Sequence, residues 1–165
     1  MPTMRIDEVT FNRVVVPLDG TMEGEDILPL ARTIALATGA RVELVHVVDP
    51  DDIVVMLPGV PTAGYPRRVV TKPRREPLHS QVSEMVKRRY ELYFQQIGET
   101  FRGIRGGMAH HVLEGRTPHE ILKFAGAGQD TLLAISIRSG MASNLLTAAR
   151  CPLLVSQSQT RVPHD

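Results

Sequence analysis

The sequence predicts an α/β protein of the three-layer open type, a five-stranded parallel sheet with helices on both faces. Three features of the chain predict it. The run Arg13-Val14-Val15-Val16-Pro17-Leu18-Asp19-Gly20-Thr21 is β-branched and apolar with no polar alternation, as in a strand covered on both faces. Comparable apolar runs recur at 42–48, 108–113, 131–137 and 153–156, and segments of helical period lie between them. The 165 residues suit one domain spanning 1–165, and a chain of this size buries roughly 70% of the surface it exposes when unfolded.

The first strand halts on Pro17, Asp19 and Gly20. In an open parallel sheet the ligand edge lies just past the carboxyl ends of the strands, so Asp19 is expected there, with Gly20 giving the turn its backbone freedom. Ile27, Leu30, Ala31, Ile34, Ala35 and Thr38 then recur at the spacing of an amphipathic helix. That helix is expected to begin near Glu25 or Asp26, which leaves Pro29 in the first turn, and to end at Gly39. The second strand is 42–48, broken by Asp49-Pro50, and strand, helix and strand make a right-handed βαβ unit.

Regular pattern is lost from Asp49 to Leu78. Prolines at 50, 58, 61, 66, 73 and 77 interrupt any helix or central strand, so 49–78 reads as a long loop. Its first half carries Asp49, Asp51 and Asp52 and its second half Arg67, Arg68, Lys72, Arg74 and Arg75. The segregation allows either a solvated basic spacer or a lid over an anion. A long helix follows, with Val82, Val86, Tyr90, Tyr93 or Phe94, Ile97 and Phe101 on its apolar side, and the glycines at 103, 106 and 107 end it. Its aromatic residues are read as core.

The third strand, 108–113, turns out through Glu114-Gly115-Arg116. Thr117-Pro118-His119-Glu120 predicts a capping box, with Thr117 receiving the Glu120 N–H and Pro118 at the first helical position. Ile121, Leu122 and Ala125 form the inner side of that helix, and Gly126 or Gly128 stops it. The fourth strand, 131–137, leads through Ser139-Gly140 into a short helix from Met141 to Ala149. Leu153, Leu154, Val155 and Ser156 form the last strand, and 157–165 is a polar tail.

Composition excludes several classes. With 42% hydrophobic and 22% charged residues, and 19 Lys+Arg against 18 Asp+Glu, the chain has no global field that would imply nucleic acid. No run of about 18 apolar residues implies a membrane span, and a cytoplasmic, unanchored protein is expected. The single cysteine, Cys151, is read as a small buried hydrophobe. His110 and His111 are adjacent in a strand, so they face opposite ways and cannot share a metal, and no zinc spacing is present. Ser136 and Ser139 have no nucleophile elbow around them. Asp19 and Glu114 would make an acid/base pair only if the sheet brought them together, and turn carboxylates more often cap helices.

Taken in order, these residues resemble the universal stress protein family over nearly the whole chain. Val14 to Thr21 looks like that family's opening strand, Leu28-Pro29-Leu30-Ala31 its first helix, and Leu44-Val45-His46-Val47-Val48-Asp49 its second strand. Glu114-Gly115-Arg116-Thr117-Pro118 is similar to its third-strand turn, and Cys151-Pro152-Leu153-Leu154-Val155 to its last strand. The resemblance implies a nucleoside end at Pro17, Leu18, Asp19 and Val47. ATP-binding members carry a glycine-rich run after the fourth strand, whose N–H groups cradle phosphates. Here Ile135-Ser136-Ile137-Arg138 stands in its place and only Ser139-Gly140 survives, with the last helix shorter by about two turns at 3.6 residues per turn. Arg138, Ser139, Gly140 and Ser143 are the remnant phosphate side, with Arg138 as a candidate guanidinium fork.

Two functions follow as expectations. The first is a regulatory or stress-response module, not an enzyme, with a homodimer through Leu153, Leu154, Val155 and Ser156, a protein partner, and weak or absent ATP binding. The second is an adenine nucleotide sensor, for AMP, adenosine or ATP, with the basic stretch from Arg67 to Arg75 as lid. Slow ATP hydrolysis would need a metal site and phosphate positioning that the sequence does not offer.

Overall fold

A computed structural model of the chain describes residues 10–49 and 76–157. Five parallel strands, β1 (Arg13–Pro17), β2 (Arg41–Val48), β3 (Met108–Glu114), β4 (Thr131–Ser136) and β5 (Leu153–Ser156), lie in the order β3-β2-β1-β4-β5. The helices are α1 (Met22–Glu25), α2 (Leu28–Thr38), α3 (Glu76–Gly98), α4 (Thr117–Ala125) and α5 (Ala142–Ala148). No described helix is long and apolar enough to cross a membrane.

The valine run of β1 divides between two cores because side chains alternate across a strand. Val14, Val16 and Leu18 pack with Val42 and Leu44 under Ala31 and Ala35 of α2 and Phe94 and Ile97 of α3. Val15 joins Val45, Val47, Leu133 and Ile135 on the other face, beneath Ile121 of α4 and Leu145 of α5. Helices therefore cover both faces, as the unalternating apolar strands predict. His110 and His111 do part company as expected. The ring of His110 lies 5.7 Å from Phe94 on one side, and that of His111 lies 4.8 Å from Phe124 on the other.

Topology fixes where a crevice opens. From β1 the connections first step outward to β2 and β3 through α2 and α3, then return beneath the other face through α4 to β4 and α5 to β5. The direction reverses between β1 and β4, whose turns leave the sheet on opposite faces, and an open α/β sheet places its ligand crevice at such a switch point.

The structure corrects three boundaries. The first helix is split: Thr21 caps α1, its Oγ1 accepting the Gly24 N–H at 3.0 Å, and α2 starts only at Leu28, with Pro29 in its first turn. Gly39 ends α2 at φ +73°, a left-handed conformation suited to glycine. The long helix begins at Glu76, so 76–78 leave the expected loop, and Pro77 stands in the first turn where its missing N–H costs no hydrogen bond. The remainder of that loop from 50 to 75, and the tail from 158, lie outside the described residues. β4 stops at Ser136, one residue short of expectation.

The predicted capping box does not form. Thr117 is already helical, and the Glu120 N–H donates to the backbone carbonyl of Arg116 at 3.0 Å. Glu120 instead folds over Gly115, where an added Cβ would come within 2.7 Å of its Cγ. Gly115 donates its own N–H to the Val48 carbonyl at 3.1 Å, which ties the turn to the end of β2.

Candidate functional site at the switch point

One wall of the crevice is the turn after β1. Pro17 and Leu18 are buried, and the Leu18 N–H donates to the Val45 carbonyl at 2.8 Å, extending the ladder one residue past the strand. Asp19 folds onto its own turn: Oδ1 accepts the Thr21 N–H at 3.0 Å and the Thr21 hydroxyl at 2.5 Å. The same hydroxyl oxygen caps α1, so Asp19, Thr21 and Gly24 form one continuous chain of bonds. Val47 lies at the end of β2 and is 4% exposed. Its side chain belongs to the core beneath α4 and α5, leaving its backbone to the strand's edge.

Two carbonyls on this wall point away from the sheet and are met by side chains of other elements. His46 Nδ1 lies 2.8 Å from the Leu18 carbonyl, so that nitrogen carries the proton. The Tyr90 hydroxyl donates to the Asp19 carbonyl at 3.1 Å. Burial lowers the His46 pKa below its ordinary value, outweighing the bond to Leu18 and the charge of Asp19 that favour the cation. Gly20, at φ +79°, lies close beneath Tyr90, whose hydroxyl would be 2.9 Å from a Cβ there. A neighbouring tyrosine, Tyr93, donates to Glu25 Oε1 at 2.7 Å, and desolvation with that carboxylate raises its pKa far above the usual phenol value.

The opposite wall is the turn after β4. Four N–H groups of this turn and the start of α5 donate within the protein. Ile137 donates to the Ser156 carbonyl at 3.0 Å, Arg138 to Ser136 Oγ at 3.2 Å, Ser139 to the Ser136 carbonyl at 3.1 Å, and Ala142 to the Ser139 carbonyl at 3.2 Å. Gly140 is exposed and a Cβ there would meet nothing, so no close approach requires glycine at this position. Ser139 is 8% exposed and its Oγ lacks a partner, as does Ser156 Oγ at the end of β5. Ser143 is exposed on α5, its carbonyl accepting the Thr147 hydroxyl at 3.1 Å.

Arg138 spans the two walls. Its guanidinium lies 3.5 Å from Asp26 and 3.8 Å from Glu23, so a residue expected on the phosphate side is paired with carboxylates of the first helical segment. The four-residue α1 is thereby held at both ends of the crevice, by Glu25 to Tyr93 and by Glu23 to Arg138. Glu114 stands apart from Asp19, at the end of outer strand β3, 3.3 Å from Lys87, and the imagined acid/base pair is not assembled. Among the described residues no group of His, Cys, Asp and Glu could hold a metal ion. Cys151 is buried and free, with its pKa raised by desolvation.

Sequence reasoning missed the polar work of His46, Tyr90, Tyr93, Glu23, Glu25 and Asp26. The tyrosines carried a signal: a buried tyrosine hydroxyl seeks a partner, and two in one helix three residues apart imply two acceptors nearby.

No protein-family model matches the sequence, and no curated protein matches it. Solved structures do. The hypothetical protein MJ0577, whose structure served to assign its biochemical function, aligns over 92% of this chain and 99% of its own with a TM-score of 0.70 at 14% identity. The universal stress protein UspA from Lactobacillus plantarum covers 90% and 99% with a TM-score of 0.62 at 16% identity. A universal stress protein from Archaeoglobus fulgidus, solved in complex with dAMP, covers 90% and 99% with a TM-score of 0.55 at 19% identity. The structural neighbours of this chain are thus universal stress proteins, and the shared property is the fold of the five-stranded parallel sheet and its helices.

Proposed function

We propose that this chain is a universal-stress-type regulatory module that acts through self-association and a protein partner, without catalysis and with weak or absent ATP binding. The observation that carries this reading is the engagement of the N–H groups of Ile137, Arg138, Ser139 and Ala142 by acceptors within the protein. A phosphate cradle needs several N–H groups pointing outward together, and these four, ahead of a helix of only two turns, are already donated within the protein. The fold's likeness to universal stress proteins supports the regulatory class.

Self-association is proposed through β5. Among the described residues β5 pairs only with β4, and Leu153, Leu154 and Val155 are half-buried. An apolar edge strand of this kind is an aggregation hazard that a second copy removes. The alternative is an adenine nucleotide sensor in an altered mode, closed by the basic stretch Arg67–Arg75, which lies outside the described residues. It is favoured by the burial of Leu18 and Val47 at the carboxyl edge and by a structural neighbour solved with cAMP.

Thermal unfolding with magnesium and ATP, ADP, AMP, cyclic nucleotides or adenosine separates the two. A ligand at a hundredfold its dissociation constant adds about 2.7 kcal/mol, or roughly 5–10 °C for a domain of this size. The module reading expects no shift with ATP. A shift largest with ATP overturns it, and a shift with adenosine or AMP alone supports the sensor with its triphosphate end lost.

A further inference from the structure

We infer that the bridge from Arg138 to Asp26 and Glu23 sets the charge of ligand the switch-point crevice admits, excluding phosphorylated nucleosides and admitting uncharged ones. The inference rests on the sensor reading for its nucleoside and on the bridge alone for its charge rule.

The crevice walls are unequal in charge. The turn after β1 and α1 bring Asp19, Glu23, Glu25 and Asp26, and the turn after β4 answers with Arg138. All four carboxylates are engaged: Asp19 by Thr21, Glu25 by Tyr93, and Glu23 and Asp26 by Arg138. Asp26 is the less exposed of the bridge's two acids, with its side chain 25% exposed against 50% for Glu23.

As a stabiliser, a half-exposed bridge contributes little. Its effect is on what enters. A phosphate seeking a guanidinium at this turn must displace both carboxylates from Arg138 and then remain beside them, a like-charge contact. The backbone offers little compensation, because the N–H groups of Ile137, Arg138, Ser139 and Ala142 already have acceptors. An uncharged nucleoside avoids all of these costs. Neutralising the two acids should convert Arg138 from an internal counter-ion into a free anion fork.

The test is calorimetric titration of the full-length chain and its Glu23→Gln/Asp26→Asn variant with adenosine, AMP and inorganic pyrophosphate. The variant should gain about tenfold or more in affinity for AMP and pyrophosphate, the order expected of one charge-assisted guanidinium fork. Adenosine should change less than about twofold. Adding Arg138→Gln should remove the gain. Asp26→Asn alone should give a smaller gain in the same direction and serves if the double variant does not fold. Pyrophosphate needs no nucleoside pocket, so it decides the bridge by itself: no gain, or a gain that survives Arg138→Gln, overturns the charge rule. Adenosine failing to bind any of these proteins overturns the sensor reading instead.

Discussion

His46 and Tyr90 lie ring against ring, with centroids 3.3 Å apart and planes within 9° of parallel. Each directs its polar atom to one of two successive carbonyls leaving β1, His46 to Leu18 and Tyr90 to Asp19. Carbonyls just past a strand have no ladder partner, and buried ones must find an acceptor's match elsewhere. A strand and a helix separated by the whole 49–75 segment supply it, so the turn that forms one wall of the crevice is held from above by a stacked pair.

Tyr90→Phe keeps the ring and removes the bond to Asp19. It is expected to cost about 0.5–1.5 kcal/mol in urea unfolding, the usual net value of one hydrogen bond. Tyr90→Ala also removes the stack on His46 and should cost more. A Tyr90→Phe variant as stable as the parent would show that the hydroxyl does not support the turn.

His46 gives the protein an acid-sensitive component. Its folded-state pKa lies below the unfolded value of 6.5, so the unfolded chain binds the extra proton first. The stability it contributes is fully present above about pH 6.5 and is lost as pH falls through the lower folded pKa. His46→Gln should flatten the decline in melting temperature between about pH 6.5 and pH 5, and an unchanged slope would assign the decline to other groups.

Thr21→Val preserves shape and removes the acceptor that caps α1. Loss of a cap costs about 1 kcal/mol, with a range of about 0.5–2. Because the same hydroxyl also donates to Asp19, amide exchange at Gly24 and Thr21 should both accelerate. Acceleration at Gly24 alone would show that the two bonds act separately.

Val155→Lys places a charge in the middle of β5. If β5 pairs with a second copy, sedimentation should show monomer, or the protein should lose solubility. An unaltered dimer would move the interface to another surface.

The sheet was legible from sequence because its signal is local: unalternating runs such as Val14-Val15-Val16 and Leu132-Leu133-Ala134 have one physical explanation, burial on both faces. The place of Asp19 was legible for a related reason, since a residue just past a buried parallel strand lies at the carboxyl edge of the sheet. What Arg138 does was not. Its partners stand 112 residues away in the case of Asp26, and nothing in the local pattern distinguishes a guanidinium that awaits a phosphate from one already held. The Thr117 capping box misled because its spacing is satisfied equally by a helix that starts one residue early, where the Arg116 carbonyl takes the Glu120 N–H. The break between α1 and α2 was hidden because Asp26 and Ile27 have no helix-stopping chemistry.

The strand order also bears on the sequence of events as the chain is made. β1 can pair with β2 as soon as Arg41 to Val45 are available, and β3 can add to β2 once Met108 to Glu114 follow. Its other neighbour begins only at Thr131, near the end of the described chain. Until then the second edge of β1 is open, and one of the two walls does not exist. Domains fold as their residues emerge, and distant pairings wait for the intervening loop to close. The crevice consequently waits for the last strands of the sheet, and a polypeptide truncated before residue 131 would hold β1, β2 and β3 with half of its ligand edge missing.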